Sequence, residues 1–183
     1  MSDELHNPDL VAKIIHCPRS AVTKNLEVIY SALNRRGMLT TDIAIGVLGT
    51  IAIETASTFE PVAEAYWLGQ AARWLYYDKT AYAKVDPVTH QRYYGRGFVQ
   101  RTWKSGYSAS GQILKLPLLE HPDLLLQPNH AADDLALFFF QKPGLQAACI
   151  RHDWRQVRHL VSGGYSEVLR LIDICQRLLA ISV

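Results

Sequence analysis

The chain has 183 residues, of which 49% are hydrophobic and 20% charged, and a formal net charge of +2. One domain of this length buries roughly 70% of its unfolded surface, so it needs no metal or disulfide to hold it. So small a charge argues against a dedicated nucleic-acid binder and suits work beside an anionic polymer. Cys17, Cys149 and Cys175 are widely spaced and form no CxxC pair, which reads as free buried thiols. The opening MSDELHNPDL lacks the basic start and apolar core of a signal peptide, and no run of 18 apolar residues is present. The expectation is a cytoplasmically made monomer that does not insert into membranes.

Helical patterns dominate the chain. Residues 8–16 read as a short amphipathic helix. From Ala21 to Asn34, Val22, Leu26, Ile29, Tyr30 and Leu33 recur at helical spacing, and Gly37 supplies a C-cap. In TTDIAIGVLGTIAIE, Thr41 is the expected N-cap and Asp42 lies in the first turn. Apolar residues surround most of this helix, so it is expected to be buried. Residues 76–103 are rich in Tyr, Thr, Val and Gly and read as a β-hairpin or short sheet. Helices then resume: HAADDLALFFFQ capped by Asn129, HDWRQVRHLVSGG stopped at Gly163 and Gly164, and SEVLRLIDICQRLLAIS. The sum is a mainly α domain with one small β element.

Three glutamates follow the apolar helix. Glu54 extends the stripe Ile43, Val47, Ile51 at offsets of three and four. A carboxyl at the end of an apolar face, by the negative end of the helix dipole, is disfavoured as an anion and suited to be a general acid. The alternative is that Glu54 is the first solvated residue after the helix. Glu60, before Pro61, reads as an exposed loop charge. Glu64 lies beyond helix-breaking residues that let the chain turn back, placing it across a groove from Glu54. Glycoside hydrolysis needs such a pair, about 5–5.5 Å apart for retention and about 6.5–9.5 Å for inversion.

The segment RYYGRGFVQRTWKSGY, 92–107, carries the next signals. Gly95 and Gly97 flank Arg96 and let backbone approach a ligand or bend. Tyr93, Tyr94 and Trp103 offer rings for stacking on sugars. Gln100 and Thr102 would share one face of a strand. An RNA-binding reading fails, because Tyr94, Arg96 and Arg101 occupy the positions that motif reserves for other residue types.

IAIETASTFEPVAEAY, YYGRGFVQRTW and DWRQVRHLVSGG, in that order, resemble family 19 glycoside hydrolases, above all the chitinase-like endolysins of bacteriophages and prophages. The match runs from about residue 40 to 180. The resemblance implies a lysozyme-like fold, with a cleft between a helical domain and a small β lobe, and one catalytic domain over 1–183 without a separate binding module. It implies cleavage of β-1,4 bonds beside N-acetylglucosamine or N-acetylmuramic acid, with inversion. The general acid matches Glu54 and the second carboxylate Glu64, with one inserted residue between. Gln100 and Thr102 match residues that orient sugar and water. Tyr107 matches the final Tyr of the strand segment 92–107, Ser162 falls within DWRQVRHLVSGG, and Arg170 approximately matches an arginine of the last helix. Arg101, Gly106 and Ser162 depart from the pattern's Leu, Asn and Asn.

The expected function is therefore a peptidoglycan-degrading glycosidase, without cofactor, reaching the wall by holin-type or other release. A chitinase, a catalytically weak sugar-binding module and a lytic transglycosylase are the rivals. His152 and His159 share a helical face but have no acidic or Cys partner at ligand spacing, so no metal is expected. No G-x-S-x-G elbow points to a serine hydrolase.

Overall fold

A computed structural model describes residues 2–182. Its helices are α1 (Pro8–Ile15), α2 (Arg19–Arg35), α3 (Thr41–Glu54), α4 (Gln70–Lys79), α5 (Lys104–Leu114), α6 (Pro128–Gln141), α7 (Leu145–Ile150), α8 (Trp154–Ser162) and α9 (Val168–Ile181). Strand β1 (Val62–Ala63) pairs antiparallel with β2 (Arg96–Gly97), Val62 opposite Gly97 and Ala63 opposite Arg96. Among the described residues no helix is long and apolar enough to cross a membrane.

Helix α3 is the axis of the helical domain. Every residue from Ile43 to Ala52 is buried, as its all-round apolar pattern requires. Helices α1, α7, α8 and α9 pack around it, while α2 packs on α1 and α6. Gly46 and Gly49 give α3 its close neighbours: a Cβ there would lie 2.5 Å from the Cys149 sulfur and 2.7 Å from that of Cys175. Both thiols, like Cys17, are free and buried.

Two expected caps shift by a residue or two. Thr40, not Thr41, caps α3 by accepting from the Ile43 N–H. Asn129 lies inside α6, which opens at Gln127 with Pro128 in its first turn; proline's missing N–H costs nothing there.

The β lobe differs more. Residues 70–79, partly inside the expected sheet region, form α4, and the first strand lies upstream of that region at 62–63. The expected hairpin is reduced to a single bridge between Val85 and Arg92. The Asp86 carboxylate closes its turn, accepting from the Val88 and Thr89 N–H groups, the Thr89 hydroxyl and Lys104 Nζ.

Candidate active site

A cleft of about 500 Å3 opens between the end of α3, the two-stranded sheet and the α8–α9 corner, with Glu54, Glu64, Gln100, Thr102, Arg158 and Ser162 in its wall. That volume suits a small-molecule or oligomer site. Glu54 is the last residue of α3 and enters from the helical side; Glu64 directly follows β1 and enters from the β lobe.

The turn between them explains how Glu64 faces the cleft. Ala56, Ser57 and Phe59 take left-handed backbone conformations at φ 46°, 63° and 54°. Such a run is held only where neighbours over-determine it. The Thr55 hydroxyl donates to the Ile51 carbonyl and accepts from the Phe59 N–H, and Phe59 is fully buried. Asn25 donates to the Phe59 carbonyl at 2.8 Å. Glu60 is not a free loop charge. It is half-buried and bound by Lys24 and Asn25 on α2, which keeps it out of the cleft wall.

Glu54 has a partner that its own stretch of sequence does not announce. The Arg158 guanidinium of α8 donates to its Oε1, with 9% of the Arg158 side chain and 16% of the Glu54 side chain exposed. The same guanidinium donates through Nε to the Ser166 carbonyl. The helix-end carboxyl is therefore ion-paired as well as flanked by apolar groups.

Glu64 is held at every polar atom. Its N–H donates to the Gly95 carbonyl at 2.7 Å, and Tyr77 donates to its carbonyl. Oε1 accepts from the hydroxyls of Tyr76 at 2.7 Å and Tyr82 at 2.6 Å, and Oε2 from the Gly95 N–H at 2.9 Å. A Cβ on Gly95 would stand 2.7 Å from Gln100 Oε1 and 3.3 Å from Glu64 Oε2. The bare glycine is what lets both side chains close over the strand.

No protein-family model matches the chain. An endochitinase of Arabidopsis thaliana is 34% identical over 83 residues, covering 45% of this chain and 25% of the relative. An inactive chitinase-like protein of Hevea brasiliensis is 33% identical over 78 residues, covering 40% and 25%. The chain thus spans about a quarter of the length of these curated relatives. Chitinase C from Streptomyces griseus superposes with a TM-score of 0.66 at 18% identity, over 97% of this chain and 78% of that one. A bacterial family 19 chitinase superposes at 0.65 and 17% identity, over 95% of each chain.

The fold is that of a family 19 chitinase.

Within this chitinase fold the other expected site residues divide. Gln100 and Thr102 do line the cleft, but not as strand neighbours: residues 98–100 form a turn, and Gln100 sits at φ 52°. The Gln100 amide donates to the Val62 and Gly97 carbonyls at 3.0 and 3.1 Å. Ser162 lines the cleft with its hydroxyl bonded back to the Arg158 carbonyl.

Tyr93, Tyr94, Arg96 and Tyr107 correct the expectation. All four are buried, so no sugar can stack on them. They build the lobe instead. Tyr77 stacks on Tyr94 at 4.2 Å, and the Arg96 guanidinium lies 3.5 Å from the Tyr94 ring centre. Arg96 pairs with Asp123 and donates to the Tyr107 hydroxyl at 3.0 Å. This stack reaches Glu64 through Tyr77. Trp103 is 54% exposed and packs on Tyr82 at 5.5 Å, outside the cleft wall. Arg170 also lies outside the wall; it bonds the Ser57 hydroxyl and approaches Glu167, bracing the turn after Glu54.

Arg158, Tyr82 and the exposed Trp67 are cleft residues that sequence reasoning missed, as it missed Tyr76, which reaches Glu64 from outside the wall. Arg158 had a signal: Val161 and Ser162 follow it at offsets of three and four, and all three line the cleft. His152 pairs with Asp42 at 2.7 Å and His159 stacks on Tyr165. Among the described residues no group of three or more His, Cys, Asp or Glu is placed to hold a metal ion.

Proposed function

We propose that the chain is a glycosidase that hydrolyses β-1,4 bonds between N-acetylated amino sugars. The observation that carries this reading is the pair Glu54 and Glu64, entering one cleft from opposite lobes. Glu54 gives its proton to the glycosidic oxygen as that bond breaks. Glu64 takes a proton from a water whose oxygen bonds to the anomeric carbon, the scheme of an inverting enzyme. Arg158 then faces the Glu54 carboxylate left after proton delivery.

Chitin-type oligomers are the substrate best supported. The relatives and the fold neighbours are chitinases and chitinase-like proteins. The cleft wall carries Glu54, Glu64 and Glu167, and its cation Arg158 is already paired with Glu54. An uncharged N-acetylglucosamine chain meets no like charge there. Peptidoglycan, cut by an endolysin-type enzyme, is the second reading. Its support is the match of Glu64, allowing one inserted residue, to the second carboxylate of the phage-type enzymes that the sequence resembles, and the presence of both carboxylates in the cleft wall.

The test is mass spectrometry of N-acetylglucosamine hexamer and of purified peptidoglycan after incubation with the protein, with NMR of the first product anomer. Shorter sugar oligomers appearing as the α-anomer support the proposal. A 1,6-anhydro end would make the protein a transglycosylase, and hexamer binding without any product would make it a sugar-binding module.

A further inference from the structure

Glu64 Oε1 is the acceptor of two tyrosine hydroxyls from different elements. Tyr76 belongs to α4 and Tyr82 to the 3-10 turn Ala81–Ala83, and they reach the same oxygen at 2.7 and 2.6 Å. A carboxylate offers about four lone-pair sites. Oε1 has both of its sites filled; Oε2 has one filled, by the Gly95 N–H at 2.9 Å. Among the described residues, the acceptor site left open lies on Oε2.

Both phenols stay donors in ordinary buffers. Hydrogen bonding to Glu64 first, then burial, raises the Tyr76 phenol above its usual value. Burial first, then the bond to Glu64, pushes the Tyr82 phenol far up. Tyr82 lies in the cleft wall and is backed by Trp103. Tyr76 is 38% exposed and contributes little to the core, so its hydroxyl is not there to satisfy a packing need.

We propose that Tyr76 and Tyr82 are positioning residues for the base. Together with the Gly95 N–H they fix the rotation of the Glu64 carboxylate and leave Oε2 as the atom that receives the proton from water. This rests on the reading of Glu64 as general base. In the step, the water O–H bond breaks and its proton goes to Oε2, its oxygen pair forms the new bond to the anomeric carbon, and the glycosidic C–O bond breaks as the leaving oxygen takes the Glu54 proton. Charge-assisted hydrogen bonds of this kind are the strong ones, and a misaimed base loses rate without losing bound substrate.

The experiment compares Tyr76→Phe, Tyr82→Phe, the double variant and Glu64→Gln on N-acetylglucosamine hexamer. It measures kcat, KM and, by calorimetry, hexamer affinity. We expect kcat to fall about tenfold in each single variant and about a hundredfold in the double, with KM and affinity unchanged within about twofold. Tyr76→Phe removes one half-exposed hydroxyl and keeps the ring, so it folds even if the double variant does not. Full kcat in both single variants beside an inactive Glu64→Gln overturns the positioning role. A parallel loss of kcat, affinity and melting temperature also overturns it, since that is what a purely structural pair would show. Full activity in Glu64→Gln removes the base assignment itself, a failure distinct from the other two.

Discussion

Arg158 and Glu54, 104 residues apart in the chain, meet as an ion pair at the wall of the cleft. Removing one partner of a largely buried pair leaves the other uncompensated, at a cost of about 3–5 kcal/mol. Arg158→Met should therefore lower the melting temperature by about 6–20 °C in a chain of this size. Glu54→Gln leaves the buried Arg158 cation without its counter-charge and should also lower it, the remaining amide oxygen offsetting part of the loss. Thermal denaturation of the two variants measures this, and a parental melting temperature in both would separate stability from the pair.

Gly95 gives a second prediction. Its absent side chain leaves the space into which Gln100 Oε1 and the Glu64 carboxylate close. Gly95→Ala should displace both and reduce kcat by about a hundredfold, the scale of a misplacement near one ångström. The circular dichroism spectrum should stay that of the parent. A fully active Gly95→Ala would show that Gln100 and Glu64 do not need their present approach.

Arg101 and Gly106, two departures from the pattern the sequence resembles, lie against each other. Arg101 forms a bidentate pair with Asp134, whose side chain is 2% exposed. Its stem passes Gly106 so closely that a Cβ there would stand 3.2 Å from Arg101 Cδ. Arg101→Leu, which restores the pattern's residue, should destabilise by about 3–5 kcal/mol because Asp134 is left buried without its cation. Adding Asp134→Leu should recover most of that loss. Urea denaturation of the single and double variants gives the coupling energy.

Much of the fold was legible because its signals are local. The all-round apolar pattern of Ile43 to Ile53 marked the buried α3, and the same stripe ended on Glu54. Gly163 marked the end of α8 and takes the left-handed cap. The site was legible in part. Glu54, Glu64, Gln100, Thr102 and Ser162 reach the cleft, with Gln100 on a turn and Thr102 just after the Arg96–Arg101 bridge rather than together on the strand their alternation suggested. Tyr93, Tyr94 and Tyr107 misled because a tyrosine suits a sugar platform and a core equally well, and only packing decides. Residues 76–79 misled because Tyr76 and Tyr77, of high β propensity, sit on the last turn of α4, where tertiary contact overrides propensity. Tyr76 and Tyr82 acquire their meaning only when the lobe closes on Glu64, a contact that no spacing encodes.

The Asp86 turn makes a pH prediction. Backbone bonds from Thr89 first, then the Lys104 contact, hold the Asp86 carboxyl well below the usual carboxylate range. A group depressed on folding contributes stability that is full above its unfolded value, near pH 4, and lost as pH falls through the folded one. Asp86→Asn should therefore melt below the parent at pH 7, and the gap should close as the pH is taken well under 4. A gap that is constant with pH would assign the difference to shape rather than to charge.

Glu54 and Glu64 are proposed to act as acid and base in one cleft. The most direct measurement of this is product formation from N-acetylglucosamine hexamer by the parent, Glu54→Gln and Glu64→Gln, each with its hexamer affinity. The account predicts shorter oligomers from the parent, at least a thousandfold slower turnover in both variants, and hexamer affinity retained in all three. Turnover at the parental rate in either folded variant would contradict it.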